Sequence, residues 1–91
     1  RMMNSLDAWT LFVDERIEKE TRRFPRLDRR AISEAIRLLA FDPYFGDLEK
    51  MKGERDVWRR RIGSYRIFFK IKTEGRAILV FHVERRTTTT Y

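Results

Sequence analysis

Three runs of residues between Asp56 and Arg85 read as strands, and nothing longer than a tight turn separates them. Asp56–Ile62 stops at Gly63-Ser64, Tyr65–Lys72 stops before Glu74-Gly75, and Ala77–Arg85 completes the set. A two-residue period places successive side chains on opposite faces of a strand. Connections this short force neighbouring strands to pair antiparallel. The expected product is a meander. In its middle strand Tyr65, Ile67, Phe69 and Ile71 share one face, and Arg66, Phe68 and Lys70 share the other. In the first strand Arg59 and Arg61 lie on one face, with Trp58, Arg60 and Ile62 opposite. One side of the sheet is therefore suited to packing, and two adjacent strands give the other a basic stripe. In the last strand His82 runs in step with Ile78 and Val80 and out of step with Arg85, an alternation that a β-bulge would shift.

The residues before this sheet supply its cover. Trp9–Val13 is dense in bulky side chains and suits a short strand. From Asp14 the pattern becomes a charged helix with Val13, Ile17 and Phe24 along one stripe, ended by Pro25. A second helix is expected to open at Asp28 as N-cap. Its Ile32, Ala35, Ile36 and Leu39 recur at i, i+3, i+4 and i+7, and Asp42 before Pro43 closes it. Two amphipathic helices on so short a link form an antiparallel hairpin whose apolar side needs a sheet. A loop containing Gly46 and Gly53 leads into the meander. The fold class is thus α+β, an N-terminal strand and a two-helix antiparallel hairpin packed on a mainly antiparallel sheet, in the order β-α-α-β-β-β. At 91 residues the chain is a single domain, 1–91.

Composition narrows the chemistry. With no cysteine there is no disulfide framework, thiolate nucleophile or zinc–thiolate site, and one histidine cannot make the usual transition-metal centre. The four glycines are too dispersed to cradle a phosphate, so nucleotide cofactors are not expected. No serine sits in a nucleophile-elbow context for His82 to serve. No apolar run approaches the roughly 20 residues of a membrane span, and no secretory signal is visible at the N-terminus, so a cytoplasmic location is expected. The net charge of +7 is unevenly placed. Residues 1–51 hold ten basic and ten acidic groups, whereas residues 52–91 hold eleven basic groups and four acids. Such asymmetry points to a polyanionic partner.

Arg59, Arg61, Arg66 and Arg85 with the terminal Tyr91 make the candidate constellation. Guanidinium groups are fork-shaped and permanently charged, which suits phosphate oxygens, and aromatic rings stack on bases. The alternative is a solvated face whose arginines pair with Glu54, Glu74 or acids of the helices.

The same stretch resembles a known family. Lys50-Met51-Lys52-Gly53, then Asp56-Val57-Trp58-Arg59-Arg60-Arg61-Ile62-Gly63-Ser64-Tyr65-Arg66-Ile67-Phe68-Phe69, and finally Val83-Glu84-Arg85-Arg86 with Tyr91, is similar to the RelE/ParE toxin superfamily of prokaryotic toxin-antitoxin modules. The resemblance extends over nearly the whole chain and implies a toxin neutralised by a cognate antitoxin. In the RelE branch it implies a ribosome-dependent endoribonuclease that cuts messenger RNA in the A site. There the ribose 2′-hydroxyl attacks the adjacent phosphate without metal or other cofactor. In the ParE branch it implies action on DNA gyrase, and a third reading is an RNA- or ribosome-binding domain without chemistry. On the RelE reading Arg59 and Arg61 fall where paired basic residues, often lysines, stand. Arg66 is the charge-stabilising arginine, Arg85 lies near the leaving oxygen, and Tyr91 stacks on a base. Lys50, Lys52, Arg55, Lys70 and Arg86 are expected to contact RNA or the ribosome. Arginine in place of lysine at 59 and 61 removes the obvious general base, since lysine yields its proton far more readily. Lys52, Lys70, His82 and Tyr91 are the remaining candidates.

Overall fold

Five strands form one sheet in the order β1-β5-β4-β3-β2, with two helices on one of its faces, in a computed structural model that describes residues 8–86. The elements run β1 (Thr10–Val13), α1 (Arg16–Thr21), α2 (Arg26–Leu39), β2 (Leu48–Lys50), β3 (Val57–Ile62), β4 (Tyr65–Lys72) and β5 (Ala77–Arg85). The last three are the expected meander, paired antiparallel through Gly63-Ser64 and the Thr73–Arg76 turn. β1 joins the sheet parallel to β5, with Thr10 opposite Ala77 and Val13 opposite Val80. The connection from β1 to β5 runs through both helices and the rest of the sheet, as a parallel pair requires.

The helix side of the sheet holds the core. Ile67, Phe69, Ile78 and Val80 are fully enclosed and meet Ile17 of α1 and Ile32, Ala35, Ile36 and Leu39 of α2. Each fully buried side chain of this size is worth about 1.5–3 kcal/mol, so the alternation in β4 and β5 and the four-residue stripe of α2 fix the layer order together.

Both helices differ in extent from the sequence expectation. α1 ends at Thr21, whose hydroxyl donates back to the Ile17 carbonyl at 2.9 Å, and turns rather than helix lead to Pro25. α2 begins at Arg26 because Pro25 occupies the cap position and its carbonyl accepts the Arg29 amide at 2.9 Å. Asp28 is therefore not the cap. It sits in the first turn and accepts a 2.6 Å hydrogen bond from the Tyr65 hydroxyl, tying α2 to the start of β4. The Asp28 carboxylate, followed by burial, raises the Tyr65 phenol above its ordinary pKa.

The stretch read as a loop contains the edge strand β2, in which Glu49 faces Arg59 and Lys50 faces Trp58. Three residues are too few for alternation to show. Before it, Gly46 adopts φ +98°, and the Arg60 guanidinium folds beneath this turn, donating to the Phe45 carbonyl at 3.0 Å and lying 5.7 Å from the centre of its ring.

A bulge breaks the alternation of β5. Phe68 pairs with His82 but Phe69 pairs with Val80, so Phe81 is the extra residue. Before it Ile78 and Val80 point into the core, and after it Val83 does. The expectation that His82 shares the Ile78 and Val80 face, opposite Arg85, is thereby reversed. His82 and Glu84 turn to the open face with Phe68 and Arg66, while Arg85 turns to the helix side, its guanidinium 5.8 Å from the Tyr65 ring.

Candidate nucleic-acid interface

Arg59 and Arg61 of β3 and Arg66 of β4 meet on the open face of the sheet because Arg61 and Arg66 are directly opposite in the β3–β4 ladder. With Arg86, Asp47 and Glu49 they line a polar recess of about 210 Å³. Arg86 reaches it because the bulge sends residues 84 and 86 to this side, and its amide is held by the Ser64 carbonyl.

Each sheet-face arginine carries an acid of its own. Arg59 is bonded to Glu49, Arg61 donates to Asp47 at 3.0 Å, and Arg66 donates to Glu84 at 3.2 Å. Arginines two residues apart on β3 face acids two residues apart around β2, a match of spacings present in the sequence. The alternative of intramolecular pairing is thus realised with other acids than Glu54, Glu74 or those of the helices. The Arg61–Asp47 pair is open to water and the other two partly so, and such pairs contribute only roughly 0–1 kcal/mol, so phosphate oxygens can exchange for these carboxylates at little cost.

Glu84 extends the arrangement inward. Its second oxygen lies 3.2 Å from His82 Nε2, and His82 Nδ1 lies 2.6 Å from Glu20 of α1. The other Glu20 oxygen accepts the Val83 amide at 2.9 Å, just past the point where β1 ceases to cover the edge of β5. A continuous polar chain therefore joins α1 to Arg66. Sequence reasoning did not identify Glu20, Asp47, Glu49 and Glu84.

Of the other sequence-predicted residues, Lys70 is on the open face with its ammonium 5.9 Å from the Phe81 ring. Lys50 points with Trp58 to the helix side. Lys52 and Arg55 are exposed in the connection between β2 and β3. Arg85 is not brought to the recess, and Tyr91 lies outside the described residues. Toward the β1 edge of the same face, Phe12, 53% exposed, and the partly exposed Phe68, Leu79 and Phe81 leave an apolar seam. No described helix is long and apolar enough to cross a membrane.

Comparison with known proteins converges on one superfamily. A Methanocaldococcus jannaschii protein named "Putative toxin RelE1" is 26% identical over 77 residues, 81% of this chain and 86% of its own. The archaeal RelE–RelB complex from Pyrococcus horikoshii contains a chain that superposes with a TM-score of 0.76 at 20% identity, over 90% of this chain and 99% of that one. The isolated E. coli RelE toxin superposes with a TM-score of 0.72 at 22% identity, over 90% of this chain and 88% of that one. These likenesses establish the fold. The family described as the ParE toxin of type II toxin-antitoxin systems, parDE, matches residues 12–89, from β1 through the end of the described sheet and beyond. The chain belongs to that toxin family, within the RelE/ParE superfamily.

Proposed function

We propose that the protein is a metal-independent endoribonuclease toxin that cleaves messenger RNA in the ribosomal A site and is neutralised by a cognate antitoxin. The observation that carries this reading is the convergence of Arg59, Arg61, Arg66 and Arg86 on one recess. On RNA binding, the scissile phosphate takes the place of the Glu84 carboxylate, and its neighbouring phosphates take the places of Glu49 and Asp47 around these guanidiniums. Arg66 is the stabiliser of the charge that builds on the phosphoryl oxygens as the 2′-hydroxyl attacks in line and the P–O5′ bond breaks, an effect worth about 3–4 kcal/mol in a preorganised site. The products are a 2′,3′-cyclic phosphate and a 5′-oxygen that takes its proton from solvent. Arg59 and Arg61 hold the flanking phosphates. A carboxylate released from its arginine is an acceptor for the 2′-proton, which supplies a base that arginines in place of lysines do not. The antitoxin is taken to cover the open face, using the apolar seam at Phe12, Phe68, Leu79 and Phe81 as its anchor. The names of relatives crystallised as RelE–RelB complexes support such a partner.

A second reading, inhibition of DNA gyrase without RNA chemistry, is favoured by the family match itself, which is to ParE. Purified, antitoxin-free protein assayed in parallel on programmed ribosomes and on gyrase supercoiling separates the two. Codon-phased cuts with unimpaired supercoiling are expected. Intact messenger with arrested supercoiling would replace the first reading by the second.

A further inference from the structure

Part of the charge that remains unpaired after folding lies in the half of the sequence that is neutral by count. Asp47 and Glu49 belong to the electrically neutral half, yet the fold commits them to arginines of the basic half. Their own half is left with surplus cations, concentrated where Arg22, Arg23, Arg26, Arg29 and Arg30 fall within nine residues. Among the described residues Arg23, Arg26, Arg29 and Arg30 are exposed and make no ion pair or ring contact, whereas Arg59, Arg61 and Arg66 are all paired. The one acid within that stretch, Asp28, is turned to the Tyr65 hydroxyl.

Arg26, Arg29, Arg30, Ser33 and Arg37 line a shallow open recess of about 500 Å³ along α2, with Glu34 held by Arg37 at its far end. Local energetics disfavour this arrangement in the free protein. Arg26 with Arg29 and Arg30 are like charges at i,i+3 and i,i+4, which destabilise a helix by about 0.2–0.5 kcal/mol per pair. They also crowd the first turns of α2, where the helix dipole favours anions instead. Departures of this kind from local preference mark surfaces kept for a ligand.

The lining identifies the ligand class. A protein partner is anchored by buried apolar or aromatic side chains, and this recess has none, since the 75% exposed Leu27 lies outside it. Single-stranded RNA is held by stacking on aromatic rings, which are also missing from the lining. Guanidiniums spread along about 16 Å of helix axis, with a single hydroxyl between them, match a ridge of backbone phosphates.

We propose that the exposed face of α2, through Arg26, Arg29, Arg30 and Arg37, docks on the phosphate backbone of double-helical RNA as a surface separate from the arginine recess of the sheet. Only the choice of RNA over DNA rests on the proposed function. The test is fluorescence-anisotropy titration of a 16-base-pair RNA duplex by the full chain between 50 and 300 mM salt. Arg26→Gln/Arg29→Gln/Arg30→Gln, the triple lysine variant and Arg66→Ala are titrated beside it. The glutamine variant is expected to bind at least tenfold more weakly at 100 mM salt. Its log–log salt slope should be shallower by about 2–3 units, at roughly 0.9 for each phosphate it no longer neutralises. The lysine variant should keep the slope, and Arg66→Ala should keep duplex binding whether or not it cleaves. A thermal melt of the glutamine variant no lower than wild type is expected, because it removes like-charge repulsion, and rules out misfolding as the cause of weaker binding. Unchanged affinity and slope in the glutamine variant would overturn the proposal, as would equal affinity for a DNA duplex of the same sequence or displacement of the RNA by an equal concentration of polyglutamate.

Discussion

Arg66 and Glu84 stand directly opposite each other on β4 and β5, joined at 3.2 Å, and this pairing exists only because a bulge at Phe81 turns Glu84 to the open face. The guanidinium proposed to stabilise the reacting phosphate is thus occupied in the free protein by a carboxylate that must yield to it. Glu84→Gln removes that competing charge. RNA affinity should rise about two- to fivefold, the range of a partly exposed ion pair of modest strength. The cleavage rate at saturating substrate should fall, since an amide cannot accept the 2′-proton as the released carboxylate does. Binding titrations and single-turnover cleavage separate the two effects, and weaker binding by this variant would contradict the exchange of carboxylate for phosphate.

Glu20 acts at the other end of the same polar chain. Its carboxylate satisfies the Val83 amide beyond the last residue of β1, so Glu20→Ala leaves that donor to solvent. Loss of a hydrogen bond to a charged acceptor is worth about 1.5 kcal/mol, which predicts roughly tenfold faster amide exchange at Val83. The Phe69 amide, in the centre of the sheet, should exchange as before. Residue-resolved hydrogen exchange reads both, and equal acceleration at Phe69 would mean that Glu20 supports the whole sheet rather than its edge.

The Tyr65–Asp28 bond gives the protein an alkaline limit. Because the folded state raises the Tyr65 pKa, the unfolded chain releases this proton first as pH rises. The bond's contribution is complete below about pH 10, the ordinary tyrosine value, and is lost as pH climbs through the higher folded value. Tyr65→Phe should cost about 1–2 kcal/mol at neutral pH and flatten this alkaline decline. Urea melts at pH 7 and across the alkaline range test both parts.

Gly46 is held to glycine by conformation and by space. Its φ is +98°, and a Cβ placed there would lie 2.7 Å from the Arg60 guanidinium carbon. Gly46→Ala should destabilise by about 1–3 kcal/mol through backbone strain alone. Adding Arg60→Ala relieves the clash but not the strain, so thermal melts of the double variant should not return to the stability of Arg60→Ala alone.

The meander and its packed face were legible because Tyr65, Ile67, Phe69 and Ile71 recur at every second position, Arg66 and Lys70 mark the opposite face, and the flanking turns are unambiguous. α2 was legible from Ile32, Ala35, Ile36 and Leu39, but not its first turn, because Pro25 and Asp28 both suit a helix start and tertiary contact with Tyr65 decides between them. β2 escaped because three residues show no period. A bulge in this strand was open from the sequence but could not be placed, because Val80-Phe81-His82-Val83 is apolar enough to satisfy either phase, and only pairing with Phe68 and Phe69 selects one. That single residue determines the site's membership, sending Arg86 to the recess and Arg85 to the Tyr65 ring.

The most direct test is nucleotide-resolution mapping of messenger ends on programmed ribosomes with wild type, Arg66→Ala and Arg85→Ala, each verified as folded. Wild type should cut within the A-site codon, Arg66→Ala should slow cleavage by at least about a hundredfold, and Arg85→Ala should stay within a few-fold of wild type. Absence of ribosome-dependent cuts from the wild type, or equal loss in the two variants, would contradict an RNA-cleaving centre built on the open face of the sheet.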